Sequence, residues 1–183
     1  MFLQATEFPF LAQLKRDWEL IRDELLALKK TYFVQWPEFN IYDGDWTVFG
    51  LYKFGEKVEQ HCALCPITTK LVEEIPGLLS AGFSSLAPGT YIGPHFGYTN
   101  QVLRYHLGLV TPENCAMRVD KETRSWEAGS DFVFDDTNEH EAWNRSEATR
   151  VVLLLDFKRD VNTEISFPAE ILAFDPIAKN SNN

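Results

Sequence analysis

The chain has 183 residues, 45% of them apolar and with many Phe and Trp, which is enough for one domain with an aromatic-rich core. Its formal net charge of −10 disfavours nonspecific nucleic-acid binding, which depends on Lys and Arg. No apolar run approaches the roughly 20 residues that span a bilayer. Met1-Phe2-Leu3-Gln4 also lacks the basic and then apolar pattern of a signal peptide, so no membrane attachment is expected and the cytoplasm is the default compartment.

The spacing predicts a helix over residues 8–30. Leu11, Leu14, Trp18, Ile21, Leu25 and Leu28 recur three and four apart, forming one apolar face, with Pro9 suited to the first turn. The character changes after Trp36-Pro37, and Trp46 to Phe54 reads as a strand. Cys62-Ala-Leu-Cys65 matches C-x-x-C. No second pair completes a zinc site, so with Cys115 these read as ordinary thiols. Asn144-Arg-Ser146 fits a glycosylation acceptor, read as chance without a signal peptide. Pro66 to Ile75 predicts a short helix stopped by Pro76-Gly77.

Beyond about residue 79, short strands alternate with turn signals: Gly82–Leu86, Tyr91–His95, Leu103–Val110, Ala116–Val119, Phe132–Phe134, Glu141–Trp143 and Arg150–Phe157. Pro88-Gly89, Pro112-Glu113-Asn114 and Ala128-Gly129 mark turns. This pattern suggests an antiparallel sandwich or barrel. The expected organisation is one domain, with helical residues 8–36, a β core over 44–158 and a C-terminal extension over 159–183 that includes one short helix. Asn180–Asn183 is expected to fray.

Two strands carry polar residues in unusual places. In Leu103–Val110 one face is wholly apolar (Leu103, Tyr105, Leu107, Leu109), and the other begins with Arg104 and His106 before turning small. That second face is either solvated or the inside of a barrel with a polar pocket at one end. Arg150 precedes a run apolar on both faces, the mark of a central strand. It is either exposed at the strand end or holds a buried anion, for which its planar fork suits a bidentate carboxylate. Of four histidines, His95, His106 and His140 fall in this half. Imidazole suits several transition metals, but only a barrel could bring His95 and His140 together.

The run Pro94-His-Phe-Gly-Tyr-Thr-Asn-Gln-Val-Leu-Arg-Tyr-His-Leu-Gly-Leu109 resembles the core motif of the aspartyl/asparaginyl β-hydroxylases, Fe(II)- and 2-oxoglutarate-dependent oxygenases. So do Trp126-Glu-Ala-Gly129 and Phe134-Asp-Asp-Thr-Asn-Glu-His-Glu-Ala-Trp-Asn144 followed by Arg150. Weaker similarity includes Ser84–Gly89, Gly44-Asp45-Trp46 and the helix around Trp18. The resemblance implies a double-stranded β-helix, or jelly roll, with N-terminal helices packed outside. It implies Fe(II) held by His95 and His140 as the only protein ligands, with 2-oxoglutarate and dioxygen as co-substrates. Arg150 and Ser84 match the pair that holds the distal carboxylate of 2-oxoglutarate. His106 matches a residue beside its other end, Trp46 a residue lining that pocket, and Arg104 an arginine that meets an acidic group of the substrate.

The wider superfamily adds a carboxylate ligand two positions after the first histidine. Here that position is Gly97, as in the β-hydroxylase branch, which leaves a coordination site to water. Asp135, Asp136, Glu139 and Glu141 are read as outer or turn residues. The disulfide of the animal enzymes is absent, since Thr69 faces Cys62 in the pattern, and Val102 and Ile41 stand where basic substrate contacts would be. The activity class is therefore expected and a peptide substrate is in doubt. Two rivals are a halogenase that admits chloride beside Gly97 and a cupin-like module that binds metal or carboxylate without turnover.

Overall fold

A computed structural model describes residues 1–173, so the expected fraying of Asn180–Asn183 lies outside the described residues. The strands are β1 (Phe2–Leu3), β2 (Val34–Gln35), β3 (Tyr42–Asp43), β4 (Trp46–Lys53), β5 (Glu56–Lys57), β6 (Leu78–Leu86) and β7 (Tyr91–His95). They continue with β8 (Val102–Val110), β9 (Cys115–Val119), β10 (Glu122–Ser125), β11 (Asp131–Phe134), β12 (His140–Asn144) and β13 (Arg150–Lys158). The helices are α1 (Ala12–Arg16), α2 (Trp18–Ala27), α3 (Glu59–Leu64), α4 (Pro66–Glu73) and α5 (Ala169–Leu172).

Two antiparallel sheets face each other as a jelly roll, as expected. The larger runs β1-β11-β8-β13-β6-β4-β2, with β5 beside β4, and the smaller runs β10-β9-β12-β7-β3. β13 lies between β8 and β6, which accounts for its apolar residues on both faces. Odd-numbered residues of β8 and β13, including Tyr105, Leu107, Leu153 and Leu155, join Leu14, Ile21, Leu25, Leu71 and Val72 in a core beneath the helices. A second core between the sheets gathers Trp46, Leu86, Met117, Trp126, Phe132 and Val152. The even face of β8, left open between two readings by the sequence, is therefore the barrel interior.

The predicted 8–30 helix is broken. A 3-10 turn (Pro9–Leu11) leads into α1, Asp17 leaves the helical region at φ −100° and ψ 20°, and α2 ends where Leu28 becomes extended. The bend keeps Leu14 and Ile21 fully buried against the curved sheet. It also sets Trp18 over Gly129, whose φ of +75° suits glycine and where an added Cβ would lie 2.8 Å from the indole nitrogen. The sequence reading missed α3 and the short strands β1, β2, β3, β5 and β10. Two- to four-residue edge strands carry too little periodicity to register.

One long-range contact fixes the helical layer. The Glu24 carboxylate of α2 accepts the backbone N–H groups of Ile67 and Thr68, each at 2.8 Å, and the Thr68 hydroxyl at 2.7 Å. These are orphan donors at the N-terminus of α4, where negative charge is favoured. Glu24→Ala is expected to cost about 1–2 kcal/mol of stability. Urea unfolding checks this, with a lowered midpoint and unchanged slope expected.

Candidate active site and metal centre

β7 and β12 pair so that His95 stands directly opposite His140. Their rings lie 4.0 Å apart between centroids. His95 Nδ1 is 2.8 Å from the Gly93 carbonyl and His140 Nδ1 is 3.0 Å from the Asn138 carbonyl. A carbonyl can only accept, so both Nδ1 atoms carry the proton and both Nε2 atoms present a lone pair. This is how ligating histidines are oriented. Burial keeps both rings neutral: it lowers His95, and it takes His140 down to about 3, with the neighbouring His95 adding to the effect. No group of three or more His, Cys, Asp or Glu side chains suited to a metal occurs among the described residues.

Gly97 explains itself locally. Its N–H donates to the Asp136 backbone carbonyl at 2.7 Å. A Cβ at residue 97 would overlap the Asp136 carboxylate, so the volume where another chain would carry a side chain is filled by an acid from the β11–β12 loop. Asp136 is buried, and burial raises its pKa to about 6 against the opposing pull of Arg104. Periodicity could not have found this, because Asp136 lies in a turn.

Deeper in the barrel sit the other expected residues. Arg150 is only 2% exposed. Its Nη1 donates to the Ser84 carbonyl at 3.2 Å and its guanidinium stacks 4.5 Å over Trp126. Its Nε has no partner among the described residues, and no carboxylate is bonded to it. Burial holds its pKa down to about 9. His106 Nδ1 accepts from Trp126 Nε1 at 3.4 Å, so its proton sits on Nε2, which is buried and also without a partner. Burial lowers His106 well below the ordinary value, and Arg150 lowers it further. Trp46 donates to the Ser84 hydroxyl at 3.0 Å, leaving that hydroxyl hydrogen free to donate, and Trp36 stacks on Trp46 at 4.5 Å. Arg150 Nε and His106 Nε2–H are thus buried donors with no acceptor among the described residues, and the Ser84 hydroxyl adds a third. Such a set fits a small buried carboxylate.

Arg104 is engaged by two of the protein's own carboxylates. Asp156 holds it bidentately, at 2.7 Å and 3.0 Å, and Asp136 approaches within 3.6 Å. Burial alone would lower its pKa, but these carboxylates more than offset that and raise it. Asp156 was legible in principle, because it lies six residues after Arg150 on the same strand and so faces the same way. Trp126 had no such signal, since it lies in the loop between β10 and β11. Cys62, Cys65 and Cys115 are free and buried, the first two in the core beneath the helices and Cys115 in the core between the sheets.

Residues 15–160 match the family described as Aspartyl/Asparaginyl beta-hydroxylase. The chain is 39% identical over 171 residues to the ornithine lipid ester-linked acyl 2-hydroxylase of Rhizobium tropici, covering 87% of this chain and 61% of that protein. It is 40% identical over 152 residues to human aspartyl/asparaginyl β-hydroxylase, covering 78% of this chain and 20% of the human protein. The chain therefore spans less than two thirds of either relative. A solved structure from Thermotoga maritima, described as a predicted oxalate decarboxylase, superposes with a TM-score of 0.50. It covers 70% of this chain and 94% of that one at 12% identity, a likeness of fold alone.

An unpaired buried cation costs stability until an anion joins it. Arg150→Met is therefore expected to melt at or above the wild-type temperature in the absence of ligand, and to lose any rise in melting temperature that an added small carboxylate gives the wild type. Differential scanning fluorimetry checks both. Trp126→Phe keeps the stacking surface but loses the N–H that fixes the His106 tautomer. A roughly tenfold weaker affinity for a small carboxylate seated beside Arg150 is expected by calorimetry, the loss of about one charge-assisted hydrogen bond.

Proposed function

The chain belongs to the aspartyl/asparaginyl β-hydroxylase family, and on that premise we propose that it is an Fe(II)- and 2-oxoglutarate-dependent dioxygenase that hydroxylates an unactivated C–H bond. The observation that carries this reading is the set of buried donors, Arg150 Nε and His106 Nε2–H without partners among the described residues and the Ser84 hydroxyl, in the same barrel whose cavity Ser84, His95 and His140 line. His95 and His140 would hold iron through their Nε2 atoms. Arg150 and the Ser84 hydroxyl would take the distal carboxylate of 2-oxoglutarate, and His106 Nε2–H would donate toward its other end. Iron and 2-oxoglutarate, when bound, supply the activation of dioxygen that amino-acid side chains lack.

The chain's own residues orient and exclude. Trp126 fixes the His106 proton and covers the flat face of Arg150, and Trp36 and Trp46 wall the pocket against water. The chloride-dependent rival is disfavoured, because the volume beside Gly97 is filled by the Asp136 carboxylate, which repels a halide. The names of the two relatives offer two substrate classes for the hydroxylation, an aspartyl or asparaginyl residue and an ester-linked acyl chain.

The protein incubated with Fe(II), 2-oxoglutarate and ascorbate in air is expected to release succinate. His140→Ala is expected to abolish both that release and the visible band of the anaerobic Fe(II)–2-oxoglutarate complex. A wild-type protein that neither forms the band nor consumes 2-oxoglutarate contradicts the reading.

A further inference from the structure

The segment that follows β13 runs from one rim of the cleft to the other. Its root is fixed. The Arg159 backbone N–H donates to the Gln101 carbonyl and its Nε to the Asn100 carbonyl, both at 2.8 Å, while Nη2 donates to the Asp135 carboxylate at 2.6 Å. Asn100 and Gln101 belong to the β7–β8 loop, whose residues 96–99 line the cleft. The far end of the segment rests on the opposite rim, the β4–β5 hairpin. There Lys53 Nζ donates to the Leu172 carbonyl at the end of α5, at 2.6 Å, and the rings of Phe54 and Phe167 lie 4.6 Å apart between centroids. Phe167 lines the cleft together with Tyr52, Phe54 and Ser80. The match to the family ends at residue 160, so this part of the wall lies beyond it.

Two features mark the crossing as movable. The first is how little holds it. Among the described residues, none after Phe157 belongs to either core. Apart from the Lys53 contact, the hydrogen bonds of residues 161–173 among the described residues stay within residues 160–173. A segment with few buried apolar contacts lies at the low-stability end of a fold. The second is the backbone of Phe54. It and Gly55 form the two-residue turn between β4 and β5, with φ of +49° and +87°. Such hairpins favour Asn or Asp followed by Gly, and a bulky side chain at positive φ is an outlier. The turn itself has no use for an aromatic ring, whereas Phe167 does. Strain of this kind persists at ligand clamps and switch segments.

We propose that residues 160–172 are a strap that gates the outer end of the cleft, the same cleft assigned above to hydroxylation. Arg159 is its fixed end, and Lys53 and Phe54 are the latch that holds Phe167 down. With the latch open, Phe167 lifts from Phe54 and the limb beside Ser80 joins the solvent, so that a ligand can pass. With the latch closed, Phe167 shuts that end against water.

The accessibility of this end tests the proposal without iron, 2-oxoglutarate or a known substrate. Ser80 alternates along β6 with Ala81 and Phe83, which join the core beneath the helices, and so it faces the cleft. Ser80→Cys is treated with N-ethylmaleimide and followed by intact mass, the three native cysteines being buried. The introduced thiol is expected to react about tenfold faster when Phe54→Asn or Lys53→Met is added. With the latch intact it is still expected to react faster than the native cysteines. Asn suits the turn, so the hairpin persists in Phe54→Asn, and unchanged rates at the native cysteines report an intact fold. Phe96→Cys, at a position 63% exposed on the rim, is expected to react at one rate with or without the latch. A thiol at position 80 that reacts equally fast with and without the latch would overturn the proposal, because nothing is then shut. One no faster than the native cysteines while the latch is intact would also overturn it, because the strap is then a fixed wall. Neither result touches the dioxygenase reading, which fails instead if 2-oxoglutarate is never consumed. A latch-dependent thiol in such an inactive protein leaves the strap standing.

Discussion

The barrel is organised around a guanidinium that has been taken out of water with no carboxylate bonded to it among the described residues. Arg150 begins the central strand of the larger sheet, where it is almost wholly buried. Its neighbours offer one carbonyl and one aromatic face, neither of which is an anion. Folding tolerates this because strong burial on both sides of β13 outweighs one unpaired charge. The proposed function would explain why the charge is kept, since a cation this buried binds a carboxylate more strongly than a surface arginine could. Trp126 then links Arg150 to His106, so that one indole serves both donors.

The remainder of the site follows from strand register. Pairing β7 with β12 puts His95 opposite His140, and two backbone carbonyls turn their lone pairs the same way. Pairing β13 with β8 puts Asp156 opposite Arg104, which closes that cation off. A one-residue slip in either pair would send these side chains to the opposite face. The helices matter for the same reason: α1 to α4 bury the outer face of the sheet that sets the register, and Glu24 ties α2 to α4.

Much of this was legible in the sequence. The alternation in Leu103–Val110 separated the helix-packed face from the face carrying Arg104 and His106, and the run after Arg150 marked the central strand. The resemblance to a known family joined His95 to His140, which no spacing rule could do across 45 residues. What was not legible has a common physical origin. The Asp17 bend answers to the curvature of a sheet the helix cannot see. Asp136 and Trp126 act from loops, where side-chain direction has no period. The neutralisation of Arg104 depends on Asp156 of a neighbouring strand and on Asp136 of a loop.

The account stands on one geometric claim, that a single ligand bridges the histidine pair and the buried arginine. A crystal structure of the protein with Mn(II) and 2-oxoglutarate under anaerobic conditions tests it directly. The account predicts the metal on Nε2 of His95 and of His140, with no third protein ligand, and the distal carboxylate on Arg150 and Ser84. A metal held elsewhere, or a carboxylate bound at Arg104 while Arg150 stays unpaired, would contradict it.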